Sequence, residues 1–190
     1  MWANSGDKMT LYDYIAQTVG IIAMLFNILS YQQKTSKGVI IMQLFGGALF
    51  SINFFMLGAT VGGILNVIAV FRAIVFANKE KLRADSIAWL IVFIGLFVTS
   101  YVLTFTLFGK AFTLSSAVLE LLPVIAMTAT TVSFRINTAS VIRKFGLISS
   151  PSWLIYNICN FALGAIICEA VSLVSIFIGM IRFDIKKSKN

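Results

Sequence analysis

Residues 20–31 read GIIAMLFNILSY, and residues 123–134 read PVIAMTATTVSF. Laid over one another at an offset of 103, they put Ala23 on Ala126, Met24 on Met127, Ser30 on Ser133 and Tyr31 on Phe134. Working outward, GALFSIN (47–53) falls on PSWLIYN (151–157) at an offset of 104, which pairs Asn53 with Asn157. LGA at 57–59 meets LGA at 163–165 at an offset of 106. Three matches in order, with a slowly drifting offset, predict two homologous three-helix units.

The surrounding composition says what kind of helix these are. Of 190 residues, 59% are hydrophobic and 12% charged, and mean hydropathy is +0.94. Soluble domains carry roughly 25% charged residues. The chain reads as an integral membrane protein, and at about 20 residues per span it holds seven spans and little else. They run Leu11–Tyr31, Val39–Leu57, Val61–Ala77, Ile87–Leu107, Leu114–Phe134, Leu147–Phe161 and Ala165–Phe183. A three-helix unit crosses an odd number of times, so a direct copy would be inverted. The fourth span, which has no match elsewhere and carries no Asn, Gln, Glu or Pro, restores the orientation. The predicted fold is therefore all-α. Two parallel three-helix bundles, at 1–77 and 111–190, are joined by a linker helix at 78–110, a 3+1+3 plan.

Charge sets the orientation. The net charge of +8 is no sign of nucleic acid, because the basic residues sit in short loops beside apolar runs. Lys34, Lys37, Lys79, Lys81, Arg83, Arg135, Arg143, Lys144, Arg182, Lys186, Lys187 and Lys189 fall on one side, and Lys8 and Lys110 on the other. That bias predicts an outside N-terminus and a cytoplasmic C-terminus. Arg72 lies inside the third span near the basic side, where snorkelling to the interface is the expected fate of its side chain. The start, MWANSGDKM, lacks a basic n-region and so does not read as a cleaved signal peptide; Met9 is an alternative start. Cys159 and Cys168 read as small buried hydrophobes, and with no histidine they make no zinc site.

Polar residues inside the spans are the candidates for function. Glu120 and Glu169 are the acidic residues well inside spans, in a setting where an ionised group costs about 2.5–3.5 kcal/mol at the bilayer centre. Both belong to one bundle and are expected to approach each other, titrating as a pair and binding a proton or a cationic group. The alternative is a neutral, hydrogen-bonded acid that fixes packing. Asn53 and Asn157 either line a pathway or cap the turns beside them. Trp153 is either an interfacial anchor or a stacking platform. Pro123 and Pro151 fall on Gly20 and Gly47 in the repeat, so two helices per bundle carry a bend-permissive residue.

With ELLPVIA (120–126) and WLIYN, Glu169, Ile181 and Arg182 beyond it, the chain resembles the YgjV-like bacterial inner-membrane family, and more distantly the SWEET/PQ-loop superfamily. The resemblance covers most of the chain. It implies two three-helix bundles joined by a linker helix and, in several members, transport of sugars or other small solutes. It also implies hinges at prolines on the first two helices of each bundle, matched by Pro123 and Pro151 but replaced here by Gly20 and Gly47. An asparagine touching substrate on each third helix is implied too. Asn66 matches it, while its repeat partner is Ser172. An aromatic on the second helix is matched by Trp153, whose partner is Leu49. The expectation is thus a small-solute transporter of the bacterial inner membrane, with no cofactor and no metal. The alternative is a non-transporting membrane protein that binds a partner protein or lipid. An enzyme is not expected, for want of a histidine, a nucleophile motif or a metal cluster.

Overall fold

The computed structural model describes residues 11–56, 60–107, 109–159 and 163–185. Lys8, Met9, the first LGA stretch and the lysines of the C-terminal tail lie outside them. The described residues are helical with no strand: α1 (Leu11–Ser30), α2 (Ser36–Met56), α3 (Thr60–Ala77), a one-turn α4 (Lys79–Leu82), α5 (Ile87–Thr106), α6 (Leu114–Ile136), α7 (Ala139–Cys159) and α8 (Leu163–Met180). A π-helical turn, Ile181–Ile185, closes the described chain.

Four stretches are long and apolar enough to cross a membrane: Ser36–Met56, Ile87–Thr106, Leu114–Ile136 and Ala165–Ile185. Tyr14–Ser30 and Gly63–Ala77 are shorter apolar helices. Helix α7 is the least apolar of the long helices, and its position explains why. It lies between α6 and α8 and also meets α2, so little of it needs an apolar surface. It also begins earlier than the sequence predicts, at Ala139 rather than Leu147. The expected loop around Arg143 and Lys144 is helix, because Arg143 is neutralised inside the body and does not have to reach water.

The helices form two groups. In the first, α2 packs against both α1 and α3; in the second, α7 packs against both α6 and α8. The groups face one another through α1 on α8, α2 on α7 and α3 on α6. The second helix of each group starts 103 residues apart, at Ser36 and at Ala139.

Helix α8 illustrates how a sequence chooses its faces. Ile167, Val171, Val174 and Ile178 recur every three or four residues and are exposed. Cys168, Ser172, Ser175 and Gly179 make the buried stripe. The large apolar side chains point outward and the small and polar ones inward. That is the arrangement expected when the surroundings are lipid and close approach of backbones drives association. At Gly179 a Cβ would sit 2.5 Å from the Tyr31 carbonyl oxygen, so the α1–α8 crossing demands glycine there. Helix α5 is held differently, by an aromatic row. Trp89, Phe93 and Phe97 stack along one face and reach Phe71 and Phe76 of α3, and Phe76 meets Phe134 of α6 edge-on.

Candidate functional site

A polar seam runs between the two groups. Arg72 of α3 crosses it and is only 7% exposed. Its Nη1 donates to the Met127 carbonyl at 3.2 Å and to Thr131 Oγ1 at 3.4 Å, and the guanidinium lies 5.3 Å from the centre of the Phe134 ring. Snorkelling is thus the wrong reading for Arg72. The guanidinium lies at the level of Thr131 and Phe134, five and two residues from the end of α6, held against that helix instead of reaching out to the interface. The reason lies in α6: Thr131 and Phe134 offer a hydroxyl and a ring face at that level, and the Thr131 hydroxyl also bonds the Met127 carbonyl at 2.7 Å.

Tyr31, just past the end of α1, is the next member. It is buried, and both Glu169 and Arg72 act on it electrostatically. The Ser150 hydroxyl of α7 engages both Tyr31 and Glu169. Glu169 itself is half-buried on α8. Ser172, buried one turn further along α8, meets Cys168. The seam thus holds a guanidinium, a carboxyl, a phenol and several hydroxyls, drawn from α1, α3, α6, α7 and α8.

Glu120 belongs elsewhere. It is buried on α6, pairs with Lys110 and receives a long hydrogen bond from the Tyr156 hydroxyl at 3.5 Å. The expected approach of Glu120 and Glu169 is corrected by this. Helix α7 separates their helices, and the two acids engage it at Tyr156 and Ser150, about 9 Å apart along the axis and on different faces. Each has its own partners.

The other candidates fall into place around these two clusters. Asn53 is buried and donates to the Ala16 carbonyl at 2.7 Å, tying α2 to α1, with Gly20 directly against its amide. Asn157 is buried near the end of α7. Asn66 is half-buried on α3. Trp153 is half-buried, packs on the apolar core and meets Tyr156 edge-on at 5.9 Å. Gly47 faces Val70 at ordinary contact distance. Helices α6 and α7 run continuously through Pro123 and Pro151.

Sequence reasoning did not single out Ser150 and sent the Arg72 side chain to the interface. One signal was available. Tyr31 and Phe134 are partners in the 103-residue alignment, and these two side chains flank Arg72 from the two groups.

The two groups are also tied at one end, where α1 finishes and α2 begins. Gln32 Nε2 donates to the carbonyl and hydroxyl oxygens of Ser175 at 2.7 and 3.0 Å. The Ser175 hydroxyl donates in turn to the Ile28 carbonyl at 2.6 Å. Ser36 donates to Asn137 at 2.5 Å, and Lys79 to the Arg135 carbonyl at 3.1 Å. Arg143 donates to the Gln33 carbonyl at 3.0 Å while pairing with Asp184. At the opposite end the Asn53–Ala16, Ser51–Gly63 and Glu120–Lys110 bonds each stay on one side of the seam. Among the described residues, no three His, Cys, Asp or Glu side chains are grouped to hold a metal.

Long apolar helices, lipid-type outer faces and a buried polar seam define a multi-helix integral membrane protein. Over residues 14–187 the chain matches the Imp-YgjV family, bacterial inner membrane proteins, and it belongs to that family. No curated protein and no solved structure matches it. Its setting is the lipid bilayer of the bacterial inner membrane.

Proposed function

We propose that the chain is a small-solute transporter in which two three-helix bundles, α1–α3 and α6–α8, rock about the seam between them. Helix α5 is the linker of a seven-span 3+1+3 plan, and the N-terminus lies outside. The exchange-symmetric packing of the two groups supports the repeat. The one-sided distribution of Lys and Arg supports the orientation.

The observation that carries the functional reading is the contrast along the seam. Charged and hydroxyl groups are buried between the bundles at Arg72, Thr131 and Ser150, while among the described residues the ties between bundles gather at one end. A permanent interface gains little from a buried guanidinium that, like Arg72, has no carboxylate partner. A pathway that opens alternately at its two ends needs polar groups there and breakable ties at the ends. We assign the chain no catalytic step.

Accessibility tests this. Cysteine is placed at Thr131 or Ser150, which are almost fully buried, after Cys159 and Cys168 are replaced. Alternating access predicts labelling by a membrane-impermeant thiol reagent from both faces of inner-membrane vesicles. Protection from both faces, in a folded protein, would leave only a static scaffold that binds a partner or lipid.

A further inference from the structure

Two arginines are buried in this protein, and their surroundings differ. Arg143, 2% exposed, is saturated. Its Nε and Nη2 form a fork on the two Asp184 oxygens, its Nη1 donates to the Gln33 carbonyl, and the Phe183 ring lies beside it. Arg72 has one nitrogen on a carbonyl and a hydroxyl, and no carboxylate. The two ion pairs among the described residues are Lys110–Glu120 and Arg143–Asp184, and Arg72 Nε is buried with no acceptor. A guanidinium keeps its proton inside proteins, so the charge is present and lacks a counter-ion. A buried charge is normally paired. Glu169 does not fill this role, because it faces Ser150 and Tyr31, and no ion pair links it to Arg72.

We propose that Arg72 is the binding residue for the acidic group of the transported solute, and that this solute is a small monocarboxylate. The inference rests on the transporter reading and names its substrate class. A carboxylate is planar and accepts from neighbouring guanidinium N–H groups, and Nε is the N–H left open beside Nη1. A single carboxylate gives the guanidinium the one ion-pair partner it lacks. A phosphate dianion would leave one negative charge over, because the seam's other members are Tyr31, Thr131, Ser150 and Glu169, none of them basic. A neutral sugar would leave the guanidinium unpaired. Ser150 and Glu169 are placed beyond Tyr31 to receive a hydroxyl or ammonium at the other end of the same molecule.

The test is thermal unfolding of the purified full chain with lactate, L-alanine, inorganic phosphate or glucose at matched ionic strength, combined with uptake into proteoliposomes. Lactate or alanine should raise the melting temperature with dose. Arg72→Gln should abolish that response, and Arg72→Lys, which keeps the charge but loses the fork, should weaken apparent affinity about tenfold. Glu120→Gln should respond like the unaltered chain. Should Arg72→Gln not fold, Arg72→Lys decides. The proposal falls if no carboxylate stabilises the protein, if phosphate or glucose alone does, or if the Arg72 variants respond to carboxylates as the unaltered chain does. Glucose uptake retained in Arg72→Gln would remove the carboxylate and keep the transporter. Carboxylate binding that depends on Arg72 without uptake would keep the site and remove the transporter.

Discussion

At the scale of single residues, the two ion pairs separate a structural charge from a peripheral one. Arg143 is almost fully enclosed, so removing Asp184 leaves a cation with nowhere to go. Asp184→Ala should cost about 3–5 kcal/mol, the range for breaking a buried pair, and is read as a lower melting temperature in detergent. Lys110, with its side chain 36% exposed, leaves its pair with the 9%-exposed Glu120 side chain partly solvated, and such a pair is worth less than an enclosed one. Lys110→Ala should therefore lower the melting temperature less than Asp184→Ala. Equal losses in the two variants would mean that burial does not govern these pairs. Arg72 stands apart from both: its ring contact and its single-nitrogen bonding make a partial cage, open at Nε.

Helices in this protein meet through small residues, and the cost of a methyl group is readable from its neighbours. Gly179 lies against the Tyr31 backbone, which cannot rotate away, so Gly179→Ala should force α8 off α1 and destabilise by about 1–3 kcal/mol. Gly95 on α5 has nothing within 4 Å of an added Cβ. Gly95→Ala should be neutral or stabilise by roughly 0.5–1 kcal/mol, since alanine is the better helix former. Thermal unfolding of the two variants side by side checks the direction of each. The element scale is also where the prolines belong. Pro123 and Pro151 leave α6 and α7 continuous, and each frees a carbonyl one turn earlier, at Leu119 and Leu147. Those freed groups are what a hinge in the proposed rocking motion would use.

For the whole molecule, the ties at one end decide which way the proposed pathway faces. Gln32 and Ser175 come from opposite bundles and touch. Cysteines at these two positions, with the native pair replaced, should cross-link readily. The cross-linked protein should then lose labelling at Ser150→Cys from the tied face and regain it on reduction. Labelling unchanged by the cross-link would mean that this end does not gate the seam.

How much of this was legible beforehand depends on the range of the forces involved. Apolar run length and the side bias of Lys and Arg are local, additive properties of a chain. They were enough to outline α1, α2, α3, α5, α6 and α8 within a few residues, together with the membrane class. The early start of α7 was not visible, because Arg143 looks like a loop residue until Asp184, 41 positions away, is brought beside it. Nor could the sequence separate Glu120 from Glu169, since only the placement of α7 between their helices keeps them apart. Arg72 is the sharpest case. As a letter in an apolar run it reads as a side chain bound for the interface. Its true position depends on which face of α3 meets Thr131 and Phe134 of α6. Hydrogen bonds and Coulomb forces act across space, and that meeting exists only once the two bundles have come together.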